Sequence, residues 1–188
     1  MRRINSIKEK QNKQKRNQII IGIVLVSMVL LSIVGYSFQT SEKTSQKKVE
    51  FNGNEFVYNS GYWRTNFQDN SLIFLYNPLE TNSTADLSLR VNDYLNKPLY
   101  IYSENSDAEV EIYRNLQYFI TRVQYACPEG FSCSEEFPIK SCEDNLIIIE
   151  EAESSGIKQQ NHCIFIQGKE EDLSRLTDEV LYKIFNLK

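Results

Sequence analysis

Residues 19–36 read IIIGIVLVSMVLLSIVGY, a stretch of eighteen residues without a charged side chain. As an α-helix rising about 1.5 Å per residue, it would extend for roughly 27 Å, close to the ~30 Å hydrocarbon core of a bilayer. A helix satisfies every backbone hydrogen bond of such a segment within lipid, which a lone strand cannot do. The stretch therefore predicts a single transmembrane helix at residues 19–36.

The charges on either side of this stretch predict its direction. Residues 1–18 contain seven basic residues and one acidic residue, whereas the fifteen residues that follow the stretch contain three lysines. Because basic segments are retained in the cytoplasm, we expect residues 1–18 to form a cytoplasmic tail. The protein is then expected in the cell membrane, in contact with the lipid bilayer, with its C-terminal part outside the cytoplasm.

A cleaved signal peptide is the main alternative to an anchor. Its apolar region usually has about 7–15 residues and ends in small residues at the cleavage site. The apolar stretch is longer here, and the segment Val34-Gly35-Tyr36-Ser37 contains no alanine. The sequence therefore favours a permanent anchor.

The remainder of the chain has the composition of a short tether followed by one folded domain. Residues 37–48 are polar and lack aliphatic side chains, which predicts a tether. Residues 49–188 predict one extracytoplasmic domain, since the chain is 41% hydrophobic and 12% aromatic. After residue 36 there are 14 basic and 24 acidic residues, a net charge of −10. We expect this acidic domain to repel nucleic acid and to favour basic partners.

The first half of the domain has the pattern of short strands. Residues 49–58 read VEFNGNEFVY, and Asn-Gly between alternating apolar residues predicts a two-residue hairpin turn. Further strands are predicted at residues 62–67, 72–76 and 87–91.

The second half alternates strands and helices. A strand at 99–102 is followed by Ser106-Asp107-Ala108-Glu109, a capping-box sequence that predicts a helix extending to about Tyr125. Apolar runs at 146–149 and 163–166 predict two strands, and a final helix follows Gly168. The chain is therefore expected to be α+β, with β-strands and then β-α-β-β-α, and with two helices packed on a mainly antiparallel sheet.

The four cysteines all lie in the C-terminal third: Cys127, Cys133, Cys142 and Cys163. An even number outside the cytoplasm predicts two disulfides. If strands 146–149 and 163–166 form a hairpin, Cys142 would lie roughly 20 Å from Cys163, too far for a bond that needs Cα atoms within about 7 Å. This leaves Cys127–Cys142 with Cys133–Cys163, which we favour because Cys133 lies in the middle of its loop, or Cys127–Cys163 with Cys133–Cys142.

No catalytic, cofactor-binding or metal-binding motif emerges. The spacing of the cysteines matches no zinc-binding pattern, and His162 lacks a surrounding hydrolase motif. The acidic runs at 150–153 and 170–172 lack the alternating ligands of a calcium loop. Asn82-Ser83-Thr84 is an acceptor sequence for N-glycosylation, and its use depends on the host.

The C-terminal sequence resembles uncharacterised small archaeal single-pass membrane proteins. The resemblance rests on Ala126-Cys127, on CEDNLIII at 142–149, on NHCIFIQG at 161–168 and on VLYKIFNL at 180–187. It implies a prokaryotic cell-surface setting and no particular activity.

Two functions from different classes follow. The first is a non-catalytic binding or assembly module at the cell surface, which contacts another envelope protein. The alternative is an enzyme or metal-handling domain that assembles cysteines, His162 and carboxylates in the folded chain.

Overall fold

The structure is a computed structural model that describes residues 7–39, 47–81, 85–133 and 137–188. The chain divides into two compact units, Met1–Ser45 and Gln46–Lys188. Helix α1 (Ile7–Gln39) belongs to the first unit and contains the apolar stretch. Its window Lys15–Ser32 is long and apolar enough to cross a membrane. The apolar side chains between Ile19 and Leu31 are exposed on every side of this helix.

The second unit begins with a four-stranded antiparallel sheet in the order β1-β2-β3-β4. Its strands are β1 (Lys48–Phe51), β2 (Asn54–Asn59), β3 (Tyr62–Phe67) and β4 (Asn70–Phe74). The predicted hairpin is confirmed, because Phe51 pairs with Asn54 across Asn52 and Gly53, whose φ angles are 47° and 77°. Positive φ at both turn residues matches the right-handed twist of the strands.

The remaining elements follow the first sheet in chain order. They are α2 (Val91–Tyr94), β5 (Pro98–Ser103), α3 (Ser106–Leu116), β6 (Arg122–Tyr125), β7 (Cys127–Pro128), β8 (Ile139–Lys140), β9 (Leu146–Glu151), β10 (Gly156–Gln160), β11 (Cys163–Gly168) and α4 (Glu170–Ile184). Strands β7 and β8 form a separate parallel pair.

The second sheet has five strands in the order β10-β11-β9-β5-β6. Strands β6, β5, β9 and β11 are parallel to their neighbours, and only β10 is antiparallel, to β11. The prediction of an α+β fold is confirmed. The predicted antiparallel pairing holds for the first sheet, whereas the second sheet is mainly parallel. The reason is that β5–α3–β6 and β9–β10–β11 each return the chain in its original direction, which makes parallel pairs.

Two predicted elements differ in the structure. Residues 87–91 do not form a strand, although Leu87, Leu89 and Val91 are buried as their alternation suggested. Helix α3 ends at Leu116 instead of near residue 125, because residues 122–125 pair with β5 as strand β6. Its N-cap is Asn105, whose side chain accepts the amide of Ala108. Strand β10 was not predicted. Of the predicted tether, residues 40–46 lie outside the described residues.

One apolar core joins both sheets and the helices α2, α3 and α4. It includes Phe56 and Phe74 of the first sheet, Ile147 and Ile164 of the second, and Val180 of α4. Aromatic contacts add to it, since the Tyr182 ring of α4 lies 4.3 Å from the Phe74 ring, centroid to centroid. Helices α3 and α4 therefore stabilise the domain by packing against both sheets.

Gly168, at the end of β11, lets α4 approach the second sheet closely. A Cβ atom at this position would lie 2.9 Å from Cδ1 of Leu176. Because this distance is shorter than normal carbon–carbon contact, a larger residue would force the Leu176 side chain to move.

Buried polar side chains of the helices satisfy the free edge of β4. The side-chain amide of Asn115 accepts the Ile73 N–H at 2.8 Å and donates to the Ile73 carbonyl at 2.8 Å. Asp178 accepts the backbone amides of Leu75 and Tyr76 at 3.0 and 2.8 Å. Unpaired backbone groups in a core cost free energy, so these side chains make burial of the edge possible.

Replacing Asn115 with alanine should destabilise the domain by about 2–4 kcal/mol, since it leaves the Ile73 backbone groups buried without partners. Chemical denaturation followed by circular dichroism measures this loss. Asn92, which is exposed in α2, offers a matched control whose alanine variant should change stability by less than about 0.5 kcal/mol. Equal effects of the two substitutions would contradict the role given to Asn115.

Candidate functional site

The four cysteines form two disulfides, Cys127–Cys133 and Cys142–Cys163. The prediction of two disulfides is confirmed, but the favoured pairing of Cys127 with Cys142 and of Cys133 with Cys163 is wrong. The structure contains the one pairing that the sequence analysis set aside. All four thiols are therefore oxidised, and none is available as a metal ligand or a redox nucleophile.

The direction of β11 explains the incorrect pairing. Strand β10 lies between β9 and β11 in the chain, so that β11 runs parallel to β9 and Cys163 pairs with Leu146. Cys142 precedes Leu146 by four residues, and its Cα atom lies 4.9 Å from that of Cys163. The hairpin assumed from the sequence would have placed Cys163 opposite the far end of β9.

Backbone hydrogen bonds hold the chain in place around the Cys142–Cys163 bond. The His162 N–H donates to the Cys142 carbonyl at 3.0 Å, and the Leu146 N–H donates to the His162 carbonyl at 3.2 Å. These bonds and the disulfide fix the end of the long loop that follows β6, near Cys142, beside the first residues of β9 and β11. The loop therefore has an order that its few apolar side chains could not provide.

The described residues of the long loop, 126–133 and 137–145, lie against one face of the second sheet. A small apolar cluster lies beneath it, formed by Tyr100, Ala126, Leu146, Ile148 and Cys163, with Phe131 and Phe165 packed at its margin. A cavity of about 220 Å³ opens here, lined by the second disulfide, Phe131, Phe165, Lys140 and Glu129. It is apolar at the base and charged at its rim, as ligand pockets commonly are.

Two cations surround the Tyr100 hydroxyl beside this cavity. Hydrogen bonds from Arg122 and then Lys140 lower the pKa of Tyr100. The Lys140 amine lies 4.1 Å from the centre of the Tyr100 ring and 3.2 Å from Oδ1 of Asp144. The two cations therefore favour the ionised form of the Tyr100 side chain.

His162 does not gather a catalytic or metal-binding set. Its Nδ1 atom is buried and has no hydrogen-bond partner among the described residues, so no described carboxylate orients the ring through this nitrogen. Among all the residues that the structure describes, no group of three or more His, Cys, Asp or Glu side chains could hold a metal ion.

Residues of the two acidic runs line one cavity of about 600 Å³, formed by Glu151, Ala152, Glu153, Lys169 and Glu170. Glu150 accepts a hydrogen bond from Gln167 at 3.0 Å. Residues 170–172 form the first turn of α4, where Asp172 makes an ion pair with Arg175 at 2.6 Å that lowers the Asp172 pKa. Acidic side chains at a helix N-terminus are stabilised by the helix dipole. The glycosylation candidate Asn82 lies outside the described residues.

Three fully buried acidic residues were not singled out in the sequence. Glu111 lies on α3, while Asp178 and Glu179 lie on α4, and each is at most 1% exposed. Glu179 is neutralised by Lys188 at 2.7 Å and Lys183 at 3.5 Å. A weak signal was present, since Glu111 precedes the apolar Ile112 and Asp178 lies two residues from both Leu176 and Val180. Their burial depends on partners far away in the chain.

Exposed apolar side chains lie near the free edge of β6. The Tyr125 and Phe137 rings are 5.8 Å apart, centroid to centroid, and Ile139 follows two residues later. These three side chains are 49%, 40% and 73% exposed. Exposed apolar groups of this size commonly mark a surface that contacts another molecule.

Comparison of the chain with protein-family models, with curated proteins and with solved structures found no match. A functional assignment therefore depends on the disulfides, the apolar helix and the surface of the domain.

Proposed function

We propose that this protein is a single-pass membrane protein whose domain 46–188 lies outside the cytoplasm and binds another surface protein without catalysing a reaction. The oxidation of all four cysteines carries this proposal. Disulfides of this kind persist outside the cytoplasm, where thioredoxin and glutathione do not reduce them. The resemblance to archaeal single-pass proteins suggests a prokaryotic cell surface.

Helix α1 supports the membrane anchor. Its apolar window has a mean hydropathy of 1.5 over 18 residues and is entirely unburied, and transfer of such side chains into lipid is strongly favourable. Seven basic residues in positions 1–18 favour retention of the N-terminus in the cytoplasm. The same bias then leaves the domain outside.

The surface of the domain supports a binding role over a catalytic one. The cluster of Tyr125, Phe137 and Ile139 offers apolar contacts, and the acidic character of the segment after residue 36 favours a partner with basic side chains. An enzyme or metal-handling domain based on the cysteines would need free thiols, and both disulfides consume them.

Protease treatment of intact cells tests the placement. We expect a chain tagged at both ends to remain with the membranes after an alkaline wash, with its C-terminal tag digested from outside and its N-terminal tag protected. A variant with Leu25 and Leu30 replaced by arginine is the control. It should leave the membrane fraction, since each charge at the centre of a membrane helix costs about 2.5–3.5 kcal/mol by insertion measurements.

Two results would contradict the proposed placement. Loss of the N-terminal tag from the mature chain would show a cleaved signal instead of an anchor. Recovery of the intact chain in the soluble cytoplasmic fraction would rule out both an anchor and a cleaved signal.

Photo-crosslinking in living cells tests the binding surface. A photoreactive amino acid at Ile139 should form a covalent adduct with a second protein, because this side chain is 73% exposed beside the apolar cluster. Lys158 is the matched control, since it is exposed on β10, at the edge of the second sheet opposite to β6. No adduct at Ile139, or equal adducts at both positions, would contradict the assignment of this surface.

A further inference from the structure

Glu109 places a partly buried carboxylate in the first turn of α3. This carboxylate accepts a hydrogen bond from the Tyr125 hydroxyl of β6. Within the described residues, it makes no ion pair with a lysine or an arginine. The helix dipole favours a negative charge in this turn, and a cation from another molecule can complete an ion pair with it.

Two aromatic rings form an exposed surface beside this carboxylate. The planes of the Tyr125 and Phe137 rings are inclined by 38° to each other, and both rings are about half exposed. The hydrogen bond to Glu109 raises the pKa of Tyr125, so the hydroxyl keeps its proton and the ring stays neutral. Neutral aromatic rings attract cations to their faces, as the adjacent carboxylate also does.

Other rings of the domain already have a cation from the same chain. Three such pairs lie at 5.4, 4.8 and 4.1 Å from the ring centre: Lys47 over Trp63, Arg114 over Tyr62 and Lys140 over Tyr100. Among the residues that the structure describes, no lysine or arginine lies over Tyr125 or Phe137. These two rings are therefore the ones beside a negative charge that lack a cation of their own.

The basic side chains near β6 point to the opposite face of the second sheet. Val123 packs against the main core, and Tyr125, two residues later in the same strand, lies on the same face. Arg122 therefore points to the other face, where Lys140 lies over the Tyr100 ring of the smaller cluster. Neither cation is placed to neutralise Glu109.

Exposed side chains of α3 enlarge the surface around Glu109. Tyr113 lies one turn later on the same side of the helix, and Val110 is the next residue in the chain. These two side chains are 51% and 49% exposed. Asp107 is exposed in the same first turn and adds a second negative charge. The surface thus combines apolar area with negative charge, and a basic side chain with an apolar stem complements both.

We propose that Glu109, Tyr125 and Phe137 bind an arginine side chain of the partner protein, an inference that rests on the proposed binding function of this domain. A guanidinium stacks on aromatic rings and at the same time donates N–H groups to a carboxylate, which the ammonium of lysine does less well. Apolar residues on either side of the arginine contact Tyr113 and Ile139. The net charge of −10 after residue 36 attracts such a partner from a distance.

Peptide binding to the full-length protein in a nonionic detergent tests the choice of arginine. The probes are fluorescein-labelled peptides of sequence Thr-Val-Thr-Xaa-Thr-Val-Thr, in which Xaa is arginine or citrulline, its uncharged isostere. We expect fluorescence anisotropy to show about fivefold to tenfold tighter binding of the arginine peptide. This comparison uses the unsubstituted protein and does not depend on the folding of a variant.

Two variants locate the bound arginine, and a third is the matched control. Glu109→Gln removes the carboxylate and Tyr125→Leu removes the ring, so each should lower the preference for arginine to about twofold or less. Glu153→Gln removes the same charge from an exposed side chain between β9 and β10, far along the chain from this surface. It should keep the preference of the parent protein.

Three results would overturn the inference. Equal binding of the two peptides would exclude recognition of arginine, and equal weakening by Glu109→Gln and Glu153→Gln would show attraction to the net charge alone. A photo-crosslink from position 139 to a second copy of this chain in the purified protein would assign the surface to self-association. If Ile139 forms adducts with another protein in cells while both peptides bind equally, the proposed binding function stands and the arginine site is rejected.

Discussion

The parallel pairing of β9 with β11 is the constraint on which the rest of the domain depends. Leu146, Ile147, Ile148 and Ile149 of β9 are each at most 1% exposed, which is typical of a strand that is covered on both faces. β5 pairs with one side of β9 and β11 with the other. The same register places Cys163 beside Leu146 and hence within bonding distance of Cys142. The long loop is thereby fixed over the outer face, while α3 and α4 contribute to the core on the inner one.

Local patterns in the sequence predicted the elements that depend on neighbouring residues. The Asn52-Gly53 turn, strand β3 and helix α4 all follow from turn chemistry or from apolar periodicity within a few residues. Strand β10 could not be recognised in this way, because Ile157 is its only buried apolar residue. Because β10 was missed, β9 and β11 were predicted to form a hairpin. That single omission reversed the direction of β11 and produced the wrong disulfides.

Buried polar residues were the other feature that local patterns could not reveal. The burial of Asn115, Glu111 and Asp178 was not predicted from the sequence. The partners of Asn115 and Asp178 are backbone groups of residues 73, 75 and 76, which lie 42 residues from Asn115 and more than 100 from Asp178 in the chain. A buried polar group is stable when its hydrogen bonds are satisfied, and these bonds form only after the helices pack against the first sheet.

Disulfide mapping of protein alkylated in intact cells before lysis tests the central claim most directly. Trypsin cleaves after Arg122, Lys140, Lys158 and Lys169, which places Cys127 and Cys133 in one peptide and Cys142 and Cys163 in the next two. We predict an internally bonded peptide 123–140 and a separate cross-linked pair of peptides 141–158 and 159–169. Either other pairing would join all three peptides, and alkylation of all four thiols would show a reducing compartment; both results would contradict the account.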